Sequence, residues 1–144
     1  MGQQQLLLLV LGIVIVGLAV VVGIQAFGEN QRKANQDAMI NDGIRIASDA
    51  QAWALKPTAF GGGEGKFTGL TLAKLGYEVN GSSQYVNANG TYSLADIAAG
   101  DFLINATSNS SGQLVDISVC DVDSDDIRPV VNNTTTAATA ADCS

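Results

Sequence analysis

The sequence has no histidine. That removes the one side chain whose unperturbed pKa lies near neutrality, and with it the usual proton shuttle and the commonest metal ligand. There are only two cysteines and no Cys-x-x-Cys-His run, which excludes covalently attached c-type haem. Basic residues are few, seven against fourteen acidic ones, and the resulting net charge of −7 excludes the usual nucleic-acid partner, whose phosphates reward lysine and arginine. An acidic surface suits solubility outside the cell. These absences leave a chain of 144 residues with little catalytic chemistry, no cofactor implied, and the expectation that it is not an enzyme.

What the chain does have is a long apolar run. From Leu6 to Ile24 nineteen consecutive residues carry no charged or strongly polar side chain: Leu6, Leu7, Leu8, Leu9, Val10 and Leu11, then Ile13, Val14, Ile15 and Val16, then Leu18, Val20, Val21, Val22 and Ile24, with only glycine and alanine between them. As helix this is about 28 Å, enough to cross a bilayer core. Such a run serves as a cleaved secretory signal, as a permanent membrane anchor, or as the packing spine of a filament subunit. A secretory signal needs a basic region ahead of it, yet Met1–Gln5 holds no lysine or arginine. The simplest account is a basic leader removed ahead of Met1, by a cleavage that retains the apolar segment in the product.

Helical character continues beyond membrane length. No proline interrupts Gln25–Leu55. Ile40, Ile44, Ala47 and Ala54 keep the spacing of one helical face, Met39, Ile46, Ala50 and Trp53 form an adjacent row, and Asn41, Asp42, Arg45, Asp49 and Gln51 fill the gaps. Lys56-Pro57 ends the pattern, because the residue before proline is biased out of the helical region. The reading is one helix of about 54 residues, roughly 80 Å if straight, apolar all round in its first half and amphipathic in its second. The chain therefore divides into an apolar half-helix (1–25), an amphipathic half-helix (26–56) and a head (57–144).

A short polar start, an apolar run of about twenty residues and an amphipathic continuation into a head together resemble the type IV pilin family over residues 1 to about 55, the bacterial form more than the archaeal. The resemblance implies a subunit of a helical homopolymer on the cell surface, membrane-embedded before assembly and handled by a prepilin peptidase and pilus assembly machinery. It implies filament-core packing for the apolar residues Leu6 to Ile24, processing and methylation at Met1, and surface attachment, motility or DNA uptake as the filament's use. The chain departs from the family at three places. Members begin with an N-methylated phenylalanine and carry a glutamate four residues on, where this chain has Met1 and Gln5; an amide offers no countercharge to a neighbour's N-terminus. Where most members have proline, this chain has Val22; Gly17 and Gly23 either loosen the helix nearby or allow close helix packing. The alternatives are a pseudopilin of a secretion system and a monomeric membrane-anchored binding protein.

Beyond Pro57 the punctuation changes. Gly61-Gly62-Gly63, Gly65, Asn80-Gly81, Asn89-Gly90 and Gly112 mark turns. Strands are predicted at Tyr77–Val79, Tyr85–Asn87, Thr91–Leu94, Phe102–Asn105 and Leu114–Cys120. Asn89-Gly90 has the signature of a type I′ hairpin turn, and Thr71–Leu75 reads as one helical turn. The fold class is α+β, a long N-terminal helix packed on a small antiparallel head. The Gly61–Gly65 run is loop geometry, since no Gly-Lys-Ser/Thr follows it to make a phosphate loop. Trp53 and Phe60 are read as core aromatics anchoring head to helix, with carbohydrate stacking or subunit contact as the other use.

Cys120 and Cys143 are free to oxidise in an exported protein, and a C-terminal disulfide loop is also what the family resemblance implies. The stretch Asn132–Asp142, nearly all threonine, alanine and asparagine, has too little apolar area to order itself. Asn80, Asn89, Asn105, Asn109, Asn132 and Asn133 each begin an Asn-x-Ser/Thr triplet, either as glycan acceptors or as the by-product of a head rich in asparagine, serine and threonine. Asp121, Asp123, Asp125 and Asp126 have the alternate spacing that opens a calcium loop. Asp126 stands where that loop needs glycine and Asn132 where it needs glutamate, so the competing reading is a solvated acidic turn.

Overall fold

The computed structural model describes residues 2–122 and 127–132 and Cys143. Helix α1 runs Gly2–Leu55 and stops just before the Lys56-Pro57 pair. A single 3-10 turn at Thr58–Phe60 follows. Strands β1 (Tyr85–Val86), β2 (Gly90–Ala95), β3 (Phe102–Ser108), β4 (Leu114–Val119) and β5 (Ile127–Asn132) are hydrogen-bonded in chain order, each antiparallel to its neighbour. The fold is α+β: a long N-terminal helix, apolar in its first half, and a small antiparallel sheet, a pilin-like architecture. By contact the chain forms two compact units, residues 1–34 and 35–144.

The second unit holds the core. In β2–β4 the register sets Tyr92 beside Ala106, Ile104 beside Ile117 and Phe102 beside Val119, and all six are fully buried. They share one cluster with Met39, Ile46, Ala47, Ala50, Trp53 and Ala54 of α1. Phe67, Leu70 and Leu72 close it from the excursion ahead of β1, with the Phe67 and Phe102 rings 4.8 Å apart and near edge-on.

The buried face of α1 differs from the predicted one. Ile44 is 36% exposed, while Gly43 and Gln51 are buried. The reason is closeness of approach. A Cβ added at Gly43 would stand 1.9 Å from Ile117 Cδ1, so a row of small residues, Gly43, Ala47, Ala50 and Ala54, is what lets the helix lie against the strands. Gln51 answers its buried amide by donating from Nε2 to the Asp121 carbonyl at 3.2 Å.

Several local expectations are corrected. Tyr77–Val79 forms no strand, only a single bridge from Val79 to Tyr85. Residues 71–75 make successive turns instead of a helix, with one helical-type bond from Leu75 N to Thr71 O at 3.3 Å. The β1–β2 turn is not type I′, for neither Asn89 nor Gly90 has positive φ. Its closing bond runs from Asn87 N to Gly90 O at 3.0 Å, which puts Ala88-Asn89 at the corner; Asn87 Oδ1 accepts from both Asn89 N and Gly90 N. Gly90 already belongs to β2, where a Cβ would meet Thr107 O at 2.8 Å and Met39 Sδ at 3.0 Å. Strand β5 falls where the sequence predicts none. Pro129 argues against a strand, and it is tolerated because β5 lies at the edge of the sheet.

Candidate assembly surface

Residues 2–34 are helix alone. The fifteen large apolar side chains from Leu6 to Ile24 are each 52% to 70% exposed, and Phe27 is 74% exposed. Leaving so many in water would forgo roughly 20 kcal/mol or more of burial at about 1.5 kcal/mol each. That exceeds the whole stability of an ordinary domain, about 5–15 kcal/mol, so water is not the medium of this segment. Among the described residues it is the one helix long and apolar enough to cross a membrane, which is compatible with membrane anchoring.

In the second unit a polar stripe runs beside the apolar face of α1. Asn35, Asp42 and Asp49 stand seven residues apart, hence on nearly the same side of the helix, and each holds a different part of the head. Asn35 Nδ2 donates to Ser108 Oγ at 2.8 Å, at the β3–β4 turn. One oxygen of Asp42 accepts three bonds, from Asn87 Nδ2 (2.8 Å), Asn89 Nδ2 (2.8 Å) and the Tyr92 hydroxyl (2.9 Å). Tyr77 donates its hydroxyl to Asp49 Oδ2 at 2.5 Å. Tyr77, Tyr85 and Tyr92 lie in a row with their rings tilted to one another, centroids 4.9 and 5.8 Å apart.

Burial by itself would raise the pKa of Asp42, but the bonds from Asn89, Asn87 and Tyr92 and the charge of Arg45 outweigh it and hold the carboxyl below its ordinary value. Burial, then donation to a carboxylate, pushes the Tyr77 and Tyr92 hydroxyls up. The stripe thus works with an ionised Asp42 and neutral tyrosines, and serves to fasten hairpins to the helix. By sequence Asp42 and Asp49 are only polar gap fillers; their heptad spacing with Asn35 is the signal of this role.

The glycine-rich loop has a definite use. Gly63 N donates to Trp53 O (3.2 Å), Glu64 N to Lys56 O (3.0 Å) and Gly65 N to Ala54 O (2.7 Å), so the loop satisfies carbonyls that the end of α1 leaves open. A Cβ at Gly63 would sit 1.9 Å from Lys66 O, and Gly61 and Gly65 have φ of 78° and 83°. With these amides spent on the helix, the loop does not cradle phosphate. Trp53 is buried as predicted, 6% exposed; Phe60 is not, at 81%. The correction follows from the 3-10 turn, which carries Phe60 away from the core that Phe67 fills instead.

Cys120 and Cys143 form a disulfide with Cα atoms 5.4 Å apart. Closing a loop of this length contributes about 3 kcal/mol in the chain-entropy account. Of the acidic group only Asp121 is described; its Oδ1 accepts from Val122 N at 2.6 Å. Asp123, Asp125 and Asp126 lie outside the described residues, as does Met1. Among the described residues no three acidic or cysteine side chains are grouped to hold a metal.

The Asn-x-Ser/Thr triplets separate by environment. Asn80 and Asn109 are exposed. Asn89 spends its amide on Asp42, and Asn105 lies on β3 with its Oδ1 buried. The side chain of Asn132 and all of Asn133 lie outside the described residues. Comparison with family models, with curated proteins and with solved structures finds no match to this chain.

Proposed function

We propose that the chain is a structural subunit that polymerises, through the apolar half of α1, into a helical type IV pilus-like filament on the cell surface. The observation that carries this reading is the contrast within one unbroken helix. Its first half leaves every large apolar side chain from Leu6 to Ile24 uncovered, while its second half is the buried wall of a folded head. A membrane holds such a segment before assembly. Neighbouring copies then replace lipid around it, and head-to-head contacts of the heterologous kind propagate a helix instead of closing a ring. The partners are copies of the same chain, with a prepilin peptidase and assembly machinery preceding them.

An anchored monomer would use the same helix only to stay in the bilayer. Shearing intact cells and imaging the released material by electron microscopy, with N-terminal sequencing of its subunit, separates the two. Long fibres retaining Leu6–Ile24 support the filament. A detergent-extracted protein that stays monomeric under assembly conditions, or a released form lacking the run, sinks it.

A further inference from the structure

Phe60 is unexplained by folding. At 81% it is the most exposed large apolar side chain among the described residues of unit 35–144. The same unit carries a groove of about 350 Å³ whose lining includes Leu72, Val79, Leu94 and Ile97 along with Ser82 and Ser83. Phe60 is not among the residues that line it. One surface of the head therefore has an aromatic knob and another an apolar hole.

The charges around the two features are complementary. Near Phe60 in the chain two exposed bases, Lys56 and Lys66, outnumber one exposed acid, Glu64. Next in the chain to the groove residues Val79 and Ile97 stand the exposed acids Glu78 and Asp96, which outnumber the one exposed base, Lys74, next to Ala73. In a chain of net charge −7 two copies repel on average. A contact that sets the bases of one copy against the acids of the next offsets that repulsion locally.

We propose that Phe60 of one copy inserts into the Leu72–Val79–Leu94–Ile97 groove of the next. Burying an aromatic ring in a desolvated pocket is the pattern of an interface hot spot. Each copy offers one knob and one hole, so a single insertion leaves the hole of one copy and the knob of the other unused, and further copies add in the same way to make the heterologous, repeating contact that a filament needs. This rests on the filament reading and specifies which head surfaces meet in it.

The test places the photo-crosslinking residue p-benzoylphenylalanine at position 60 of the full chain and illuminates the assembled material. Covalent dimers whose joined peptides link position 60 to residues 70–97 of a second copy are the expected result. Alongside, Phe60→Asp lowers the sedimentable fraction about 10-fold or more and Phe60→Leu keeps it within about threefold of the parent, with the melting of the head unchanged in both. Crosslinks confined to other segments, or a Phe60→Asp chain that assembles as well as the parent, overturn the contact and leave the filament standing. If the unmodified chain never sediments as a polymer, the filament reading fails and this contact falls with it.

Discussion

The two halves of α1 are one helix in backbone and opposites in packing. The first is mostly leucine, isoleucine and valine, and none of these large side chains is covered by its own chain; the second mixes alanine, glycine, asparagine and aspartate, and carries the core of the head. Hydrophobicity alone therefore does not say where a protein buries a helix. The second half docks because small residues let strands come close and because three polar residues on one side fasten the hairpins. The first half lacks such a polar stripe between Leu6 and Ile24, and its apolar surface is suited to lipid or to other copies of itself.

The contrast is broken most severely by a charge in the first half. On the proposed filament reading Leu11→Lys abolishes sedimentable assembly, since a lysine at mid-membrane depth costs about 2.5–3.5 kcal/mol even before packing is lost; circular dichroism of the head shows no loss of its sheet. Matched truncations sharpen the comparison. Ile46→Ala lowers the unfolding free energy of the head by about 2–5 kcal/mol in denaturant titration, and Ile15→Ala leaves that value unchanged.

Asp42→Asn comes next, at about 1–3 kcal/mol, because three donors lose an ionised acceptor. The folded-state pKa of Asp42 lies below its unfolded value of about 3.8. Its contribution is thus complete at pH well above that unfolded value and is lost as pH falls through the folded pKa. Acid titration of the parent head shows this decline, and the Asn variant shows a shallower one. Smallest is Gly43→Ala: better helix propensity favours it by about 1 kcal/mol, yet overlap with buried Ile117 costs about 1–3 kcal/mol. A net loss in melting temperature is expected there, with none at Gly28→Ala, where a Cβ meets nothing within 4 Å.

The long helix, its end before Pro57, and the centres of β2, β3 and β4 were legible because periodicity, β-branched content and turn residues agreed. Where reading failed, tertiary context had overruled a local rule. Pro129 hid β5, since a sequence does not say which strand will be the edge. Asn89-Gly90 has the best local hairpin signature, but Gly90 is needed for room beside Met39, and the corner moved to Ala88-Asn89. Ile44 and Gln51 exchanged their expected places because apolar spacing cannot show how closely a strand will approach. Of the candidate site residues, the apolar run was plain from composition, whereas the Asp42 node depends on asparagines 45 and 47 residues further along the chain.

The Gly61–Gly65 loop has the composition that protein engineers choose for grafting tags, being glycine-rich and at the surface. Its main-chain amides are nevertheless committed one by one to Trp53, Ala54 and Lys56. A tag spliced into it would strip the helix terminus of those partners, so insertion tolerance here must be judged by where the amides point and not by how many glycines are present.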